Sequence, residues 1–230
     1  ARAAAERMMD LVWETRGQST VAYSDLASAM AEAKQAGERP LVIADFTDNP
    51  GGGGYGDATR LLGAMIEARL QNAALHAIND PEAVAIGQKA GKGATVTLAL
   101  GGKIDPVFGA PLQVTGVVQN LTEGSFICDG PMHKGVRLNH GPTMVLRIGG
   151  IEVVVTSNRL QTIDCQAFLS QGIDPAAKSV IAVKSSQHFR AAFGPLARKV
   201  VLADGGALTS PDLTRFPYQK LRRPIWPLDP

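Results

Sequence analysis

The sequence predicts an α/β protein in which a mixed sheet is flanked by helices and the middle region is β-rich and antiparallel. Three observations carry this. Short apolar, partly β-branched runs alternate with segments of helical period up to about Ala90. After Gly93 that periodicity stops, and strand-like runs separated by glycine pairs take over. Alternation of strand and helix returns after Thr156. Residues 1–230 are read as one domain whose β-rich portion covers about 94–156.

Taken in order, Ala1–Arg16 reads as an amphipathic helix with Ala5, Met8, Met9, Val12 and Trp13 on one face. Ser24–Ala36 reads as a second helix, capped by Ser24 or Asp25 and closed by Gly37. Leu41–Ala44 suits a strand buried on both faces, and Asp45 marks where it leaves the sheet. A loop rich in glycine follows, Phe46 to Gly56, and then a helix from Ala58 in which Leu61, Leu62, Met65, Ile66 and Leu70 recur at helical spacing, with Asp57 as its expected N-cap. Ala73–Ile78 is a strand ending at Asn79-Asp80-Pro81, and Glu82–Ala90 a helix closed by Gly91. Ala94–Leu100, Leu112–Leu121, Val136–Leu138, Thr143–Ile148 and Ile151–Thr156 form the β-rich stretch. A helix at Cys165–Leu169, strand Ser179–Lys184, helix Gln187–Ala192 and strand Lys199–Leu202 complete the pattern. The tail Arg215–Pro230 holds too many prolines for regular helix.

The chain of 230 residues is 45% hydrophobic and 19% charged with net charge +2, an ordinary soluble globular profile. No basic excess points to nucleic acid or to an anionic membrane, and no apolar run reaches transmembrane length. Cys128 and Cys165 make neither a framework nor a CxxC pair, which sets a reducing, cytoplasmic compartment as the expectation. The charged stretch from Ala1 carries no signal-peptide pattern, and its start inside a helical pattern suggests a piece of a longer protein.

Three polar clusters each follow the C-terminal end of an apolar strand. Asp45, Asp48 and Asn49 open the first and run into Gly51 and Gly52 of the glycine-rich loop. Thr156 to Gln161 form the second, with Arg159, and Lys184 to Arg190 the third, with Gln187 and His188. Parallel strands would bring all three to one sheet edge, where open α/β sheets bind ligands. Such a group could hold a polar or anionic ligand, Arg159 being able to pair bidentately with a carboxylate. Structural readings stand beside this one. Asp48 and Asn49 could bond only their own loop, and Arg159 and Lys184 could pair with Asp48 and Asp164. The loop also contains Gly51-x-Gly53-x-x-Gly56, with Asp80 at the end of the next strand. However, Phe46–Pro50 intervene after the strand, and Asp45 and Asp48 would repel a pyrophosphate. No Gly-Lys-Ser/Thr closes a phosphate loop. Cys128, Asp129, His133 and His140 share one loop-rich stretch and could form a zinc set, although their spacing matches no compact motif. His188 lacks a Ser-His-Asp frame, and His76 reads as a core or edge histidine.

The segments Ala44-Asp-Phe-Thr-Asp-Asn-Pro-Gly-Gly-Gly, Asn79-Asp-Pro-Glu-Ala-Val, Leu100-Gly-Gly-Lys, Gly172-Ile-Asp-Pro, Val183-Lys-Ser-Ser-Gln-His-Phe-Arg-Ala-Ala-Phe and Arg223-Pro-Ile-Trp-Pro-Leu-Asp, in that order, resemble the C-terminal domain of the MlrC-like (microcystinase C) family of metallopeptidase-like hydrolases. The resemblance implies a two-part protein: an N-terminal domain with a zinc site of Asp and His ligands, and a C-terminal domain that closes the cleft. Only the second part has a counterpart here, so zinc is expected in the full-length protein and no metal ligand in this chain. Hydrolysis of peptide or amide bonds is implied for the whole protein, and this chain alone is expected to be inactive. Asp48, Asn49, Arg159 and Gln187 would line the cleft and orient a peptide-like or small-molecule substrate. The partner is then the N-terminal metal-binding domain, and apolar surface left bare would allow a homodimer. From a different class, the alternative is a non-catalytic domain that holds a small anion, ligand or partner with glycine loop 51–56.

Overall fold

The computed structural model describes residues 1–18, 21–35 and 37–229. Strands β1 (Leu41–Asp45), β2 (Ala73–Asn79), β3 (Thr95–Leu100), β4 (Leu112–Thr122), β7 (Thr143–Ile148), β8 (Ile151–Thr156), β9 (Val180–Val183) and β10 (Lys199–Ala203) form one sheet in the order β10-β1-β9-β2-β8-β7-β4-β3. From β10 to β8 the neighbours are parallel; from β8 to β3 they are antiparallel. The mixed sheet and its antiparallel stretch thus agree with expectation, and β8 joins the two halves by pairing parallel to β2 and antiparallel to β7. A second, two-stranded sheet pairs β5 (Ser125–Ile127) with β6 (Arg137–Asn139). Only one of these two strands is legible in the sequence, because β5 is three residues long and has a single buried side chain, Phe126.

Strand alternation divides the core. Leu41, Ile43, Ala73, Leu75, Val153, Val155, Val180 and Ala182 face one side and pack with residues of α2 (Leu26–Ala33), α3 (Arg60–Glu67) and α4 (Pro81–Ala90). Val42, Ala44, Ala74, Val154, Ile181 and Val183 face the other, against Phe168 of α5 (Gln166–Leu169), Phe189, and Phe193 of α6 (Arg190–Phe193). Both faces of the parallel strands are therefore covered, which explains their uninterrupted apolar runs. At the antiparallel edge, β3 alternates instead, with Val96, Leu98 and Leu100 buried and Thr95 and Thr97 exposed.

Several helix boundaries differ from the sequence reading. The second helix starts at Leu26, with Asp25 as its cap accepting from Ser28 N at 2.7 Å, and ends at Ala33; Ala36 lies outside the described residues. The third starts at Arg60, because Asp57 is used elsewhere: its Oδ2 accepts from Lys103 N and Ile104 N at 2.9 and 3.0 Å. The last short helix starts at Arg190, after a turn that carries Gln187 and His188. The first helix, α1 (Arg2–Thr15), forms as expected but buries none of its residues.

Candidate functional site

Because β10, β1, β9, β2 and β8 run parallel, their C-terminal ends lie along one edge of the sheet. The segments after β1, β8 and β9 supply Asp48, Asn49, Gly51, Gly52, Arg159, Gln161, Lys184, Gln187 and His188, as parallel strands require. The expected convergence is present, but its members divide into a buried frame and an exposed rim.

Asp48 and Lys184 are the frame. Each is about 98% or more removed from solvent, and Lys184 Nζ meets Asp48 Oδ2 at 2.7 Å. The same ammonium donates to the carbonyls of Gly56 at 2.9 Å and Ala58 at 2.8 Å, which uses its three donors. Asp48 in turn accepts from Gly56 N and Ala58 N, both at 2.8 Å. A carboxylate and an ammonium thus tie the far end of the glycine loop to β9. Neither has a donor or lone pair aimed at solvent to spare for a ligand in this arrangement. Arg159 and Asp164, by contrast, do not pair. Asp164 accepts from Gly130 N and Gln166 N at 2.8 Å each.

Within the loop Pro50–Gly52 form one 3-10 turn. Asn49 caps it, its Oδ1 accepting from Gly51 N at 3.0 Å, while Asn49 Nδ2 donates to Ser186 Oγ at 3.0 Å. Gly53 follows in the left-handed region at φ 96°. A Cβ on Gly54 would lie 2.7 Å from the Asp48 carbonyl carbon, so close backbone approach demands glycine there. These local duties explain the fingerprint-like spacing. The glycines open no helix, since α3 begins only at Arg60, and Asp80 caps α4 through Ala83 N at 3.0 Å while also accepting from Gly101 N at 2.9 Å. The dinucleotide pattern is a coincidence of loop packing.

The rim consists of Gly51, Gly52, Arg159, Gln187 and His188, all exposed. Gln161 links them to the frame: its Nε2 donates to the buried Ser185 Oγ at 2.8 Å, and its Oε1 sits 3.2 Å from His188 Nδ1. A Cβ at position 51 would overlap Gln161 Oε1, so Gly51 admits the amide. Gln187 Oε1 accepts from Arg190 Nε at 3.0 Å and does not touch the others. Arg159 lines a small depression with Pro50, Gly56, Asn79 and Thr156. Nearby acidic groups are already matched: Asp48 by Lys184, and Asp80 by Lys103 at 3.0 Å. Burial raises the Asp45 carboxyl pKa, and Asp45 accepts from Thr47 Oγ1 at 2.7 Å. The rim therefore offers positive charge and amide groups, a setting for an anionic or carbonyl-bearing ligand. Sequence reading gave no role to Ser185 and Ser186, which brace Gln161 and Asn49. Their position directly after an apolar strand was the available signal.

The suggested zinc set does not assemble. His133 is exposed, Cys128 packs with Phe126 and Ala167, and His140 lies against His76 with ring centroids 4.7 Å apart. Among the described residues no three His, Cys, Asp or Glu side chains are grouped to hold a metal ion, so the residues present do not fit a resident metal. Burial also pushes the Cys165 thiol up to about 12 and raises that of Cys128, which keeps both protonated. His76 and His140 are buried and held neutral, His140 with a pKa lowered to about 4 by burial.

Comparison with known proteins accords with this geometry. A family model described as MlrC C-terminus matches residues 43–220. Microcystinase C from Sphingomonas sp is 35% identical over 202 residues, which is 86% of this chain and 38% of that protein. A crystal structure from Mesorhizobium sp. BNC1, provisionally named a metallopeptidase, superposes with a TM-score of 0.85 at 26% identity, covering 96% of this chain and 44% of that one. The chain thus spans less than half the length of either relative. Matched over most of its length by the family model and over 86% of it by a curated member, the chain belongs to the MlrC C-terminal family.

Proposed function

We propose that this chain is the substrate-facing half of a zinc-dependent hydrolase acting on peptide or amide bonds. One observation carries the reading: five parallel strands end on one edge, where a rigid buried frame presents an exposed rim of Arg159, His188, Gln161 and the Gly51–Gly52 turn. The provisional naming of the Mesorhizobium structure as a metallopeptidase supports it. In this reading the metal belongs to the remaining part of the longer polypeptide, and no step here runs through it. The chain's own work is to bind and orient. Arg159 pairs with a substrate carboxylate, and the exposed backbone of Gly51 and Gly52 lets an extended substrate lie against the loop. Asp48 and Lys184 act beneath, fixing the loop relative to β9.

The test is Arg159→Ala in the full-length, metal-loaded protein, assayed on linear peptides with free and amidated C-termini. KM should rise about tenfold or more for the free-carboxylate peptide, consistent with loss of a charge-assisted pair of roughly 1.5–3 kcal/mol, and change little for the amide. Unchanged kinetics on both would remove Arg159 from the cleft.

A further inference from the structure

We infer that His188 is the proton-transfer group of this rim, and that Gln161 is the positioning residue that selects its tautomer. The inference rests on the hydrolase reading above and adds a role to it. Its basis is a chain of hydrogen bonds that runs from buried Ser185 through Gln161 to His188. Ser185 Oγ is buried, and Gln161 Nε2 donates to it at 2.8 Å. That leaves Gln161 Oε1, which can only accept, facing His188 Nδ1 at 3.2 Å. In that arrangement His188 Nδ1 carries the proton, and the lone pair of the neutral ring falls on Nε2. In water an unconstrained histidine favours the opposite tautomer, so the amide does chemical work here. The same device, a fixed acceptor behind one ring nitrogen, orients histidines that transfer protons from the other.

The support for this acceptor is itself built in. Gln161 can reach His188 because position 51 lacks a Cβ, which would overlap Oε1. Asn49, whose Oδ1 holds Gly51 N, is tied to Ser186 at 3.0 Å. His188 is exposed at the rim and sits on the turn between β9 and α6.

Hydrolysis of an amide breaks the C–N bond. Water adds hydroxyl to the carbonyl carbon, and the departing nitrogen needs one proton. The imidazolium of His188 gives its Nε2 proton to that nitrogen, leaving the neutral ring with Nδ1–H still on Gln161. The ring then recovers a proton from the one released by the water, so atoms and charge balance over the turnover.

Two measurements test this. The first needs no activity: long-range 1H–15N correlation of the imidazoles in this chain, recorded in alkaline buffer where free imidazoles are neutral. Protonated Nδ1 in His188, conversion to the Nε2–H form in Gln161→Leu, and retention of Nδ1–H in Gln161→Glu, which keeps an acceptor, are expected. Nε2–H in the unaltered chain would overturn the proposal. The second is turnover of a linear peptide by the full-length, metal-loaded protein. His188→Gln should lower kcat about 10²-fold or more with little change in KM, and Gln161→Leu should lower kcat by less. The thermal midpoint of His188→Gln should stay that of the unaltered protein, since the ring is exposed. Undiminished kcat in His188→Gln sinks the proton-transfer role. If Arg159→Ala still raises KM in that case, the cleft reading survives; if it does not, both fall.

Discussion

At the scale of single residues, the buried ion pair lies under the site and not on its rim. The Lys184 side chain is 2% exposed, and its Nζ has one carboxylate and two carbonyls as partners. Removing one member of a buried, hydrogen-bonded pair leaves the other uncompensated and costs about 3–5 kcal/mol. Lys184→Met should lower the unfolding free energy by about that amount in urea titration, whereas an unchanged midpoint would mean that the pair contributes nothing. The two buried histidines give a different signature. His140 is 1% exposed, both of its ring nitrogens lack hydrogen-bond partners, and its ring lies 5.1 Å from that of Phe126. Its folded pKa of about 4 lies below the ordinary 6.5, so the unfolded chain binds the proton first. Stability is therefore intact above about pH 6.5, declines as pH falls towards about 4, and levels off below. At about 1.4 kcal/mol per unit, the loss approaches roughly 3 kcal/mol. Denaturation curves from pH 8 to 4 check this, and His140→Leu should flatten that limb.

At the scale of elements, the parallel strands were legible because each is a short β-branched run buried on both faces, as in Val180–Val183. Their shared polarity followed from alternation with helices, and that alone brought Asp48, Arg159 and His188 to one edge. Division of labour within the edge was not legible. Asp48 and Lys184 are 136 residues apart in sequence, and nothing local tells a buried ion pair from a ligand-binding one. Asp57 looked like a helix cap because the sequence does not show that the backbone of Lys103 and Ile104 competes for it. The helix α1 was read correctly from its period, yet among the described residues its apolar face stays largely exposed: Met8 is 68% and Trp13 59% exposed. A helix of this length is marginal in water without packing. Deleting residues 1–16 should therefore leave the thermal midpoint of the remaining chain unchanged within experimental scatter. A drop of several degrees would show that α1 packs on the sheet domain in solution.

At the scale of the whole molecule, the division of chemistry proposed above is tested by what the chain brings together. It brings five strand ends, a rigid loop and an exposed rim to one edge, but no three metal-ligating side chains among the described residues. Its relatives are more than twice its length, and one is provisionally a metallopeptidase. A metal site assembled from this chain alone would need Cys128, His133 and His140 to move together. His140 is held by its backbone, which donates to Gly124 O at 2.9 Å and accepts from Asn158 N at 2.7 Å, and Cys128 by its bonds with Val136 and Gly135. The cost of breaking that hairpin opposes such a rearrangement. Elemental analysis of the purified 230-residue chain, after dialysis against a weak chelator, should thus find far less than one zinc per chain, and the full-length protein treated alike should retain it. Stoichiometric zinc in the short chain would overturn the division and direct attention to the loop between β5 and β6. Zinc in the longer protein alone would make Arg159, Gln161 and His188 the groups to examine at the boundary between the two parts.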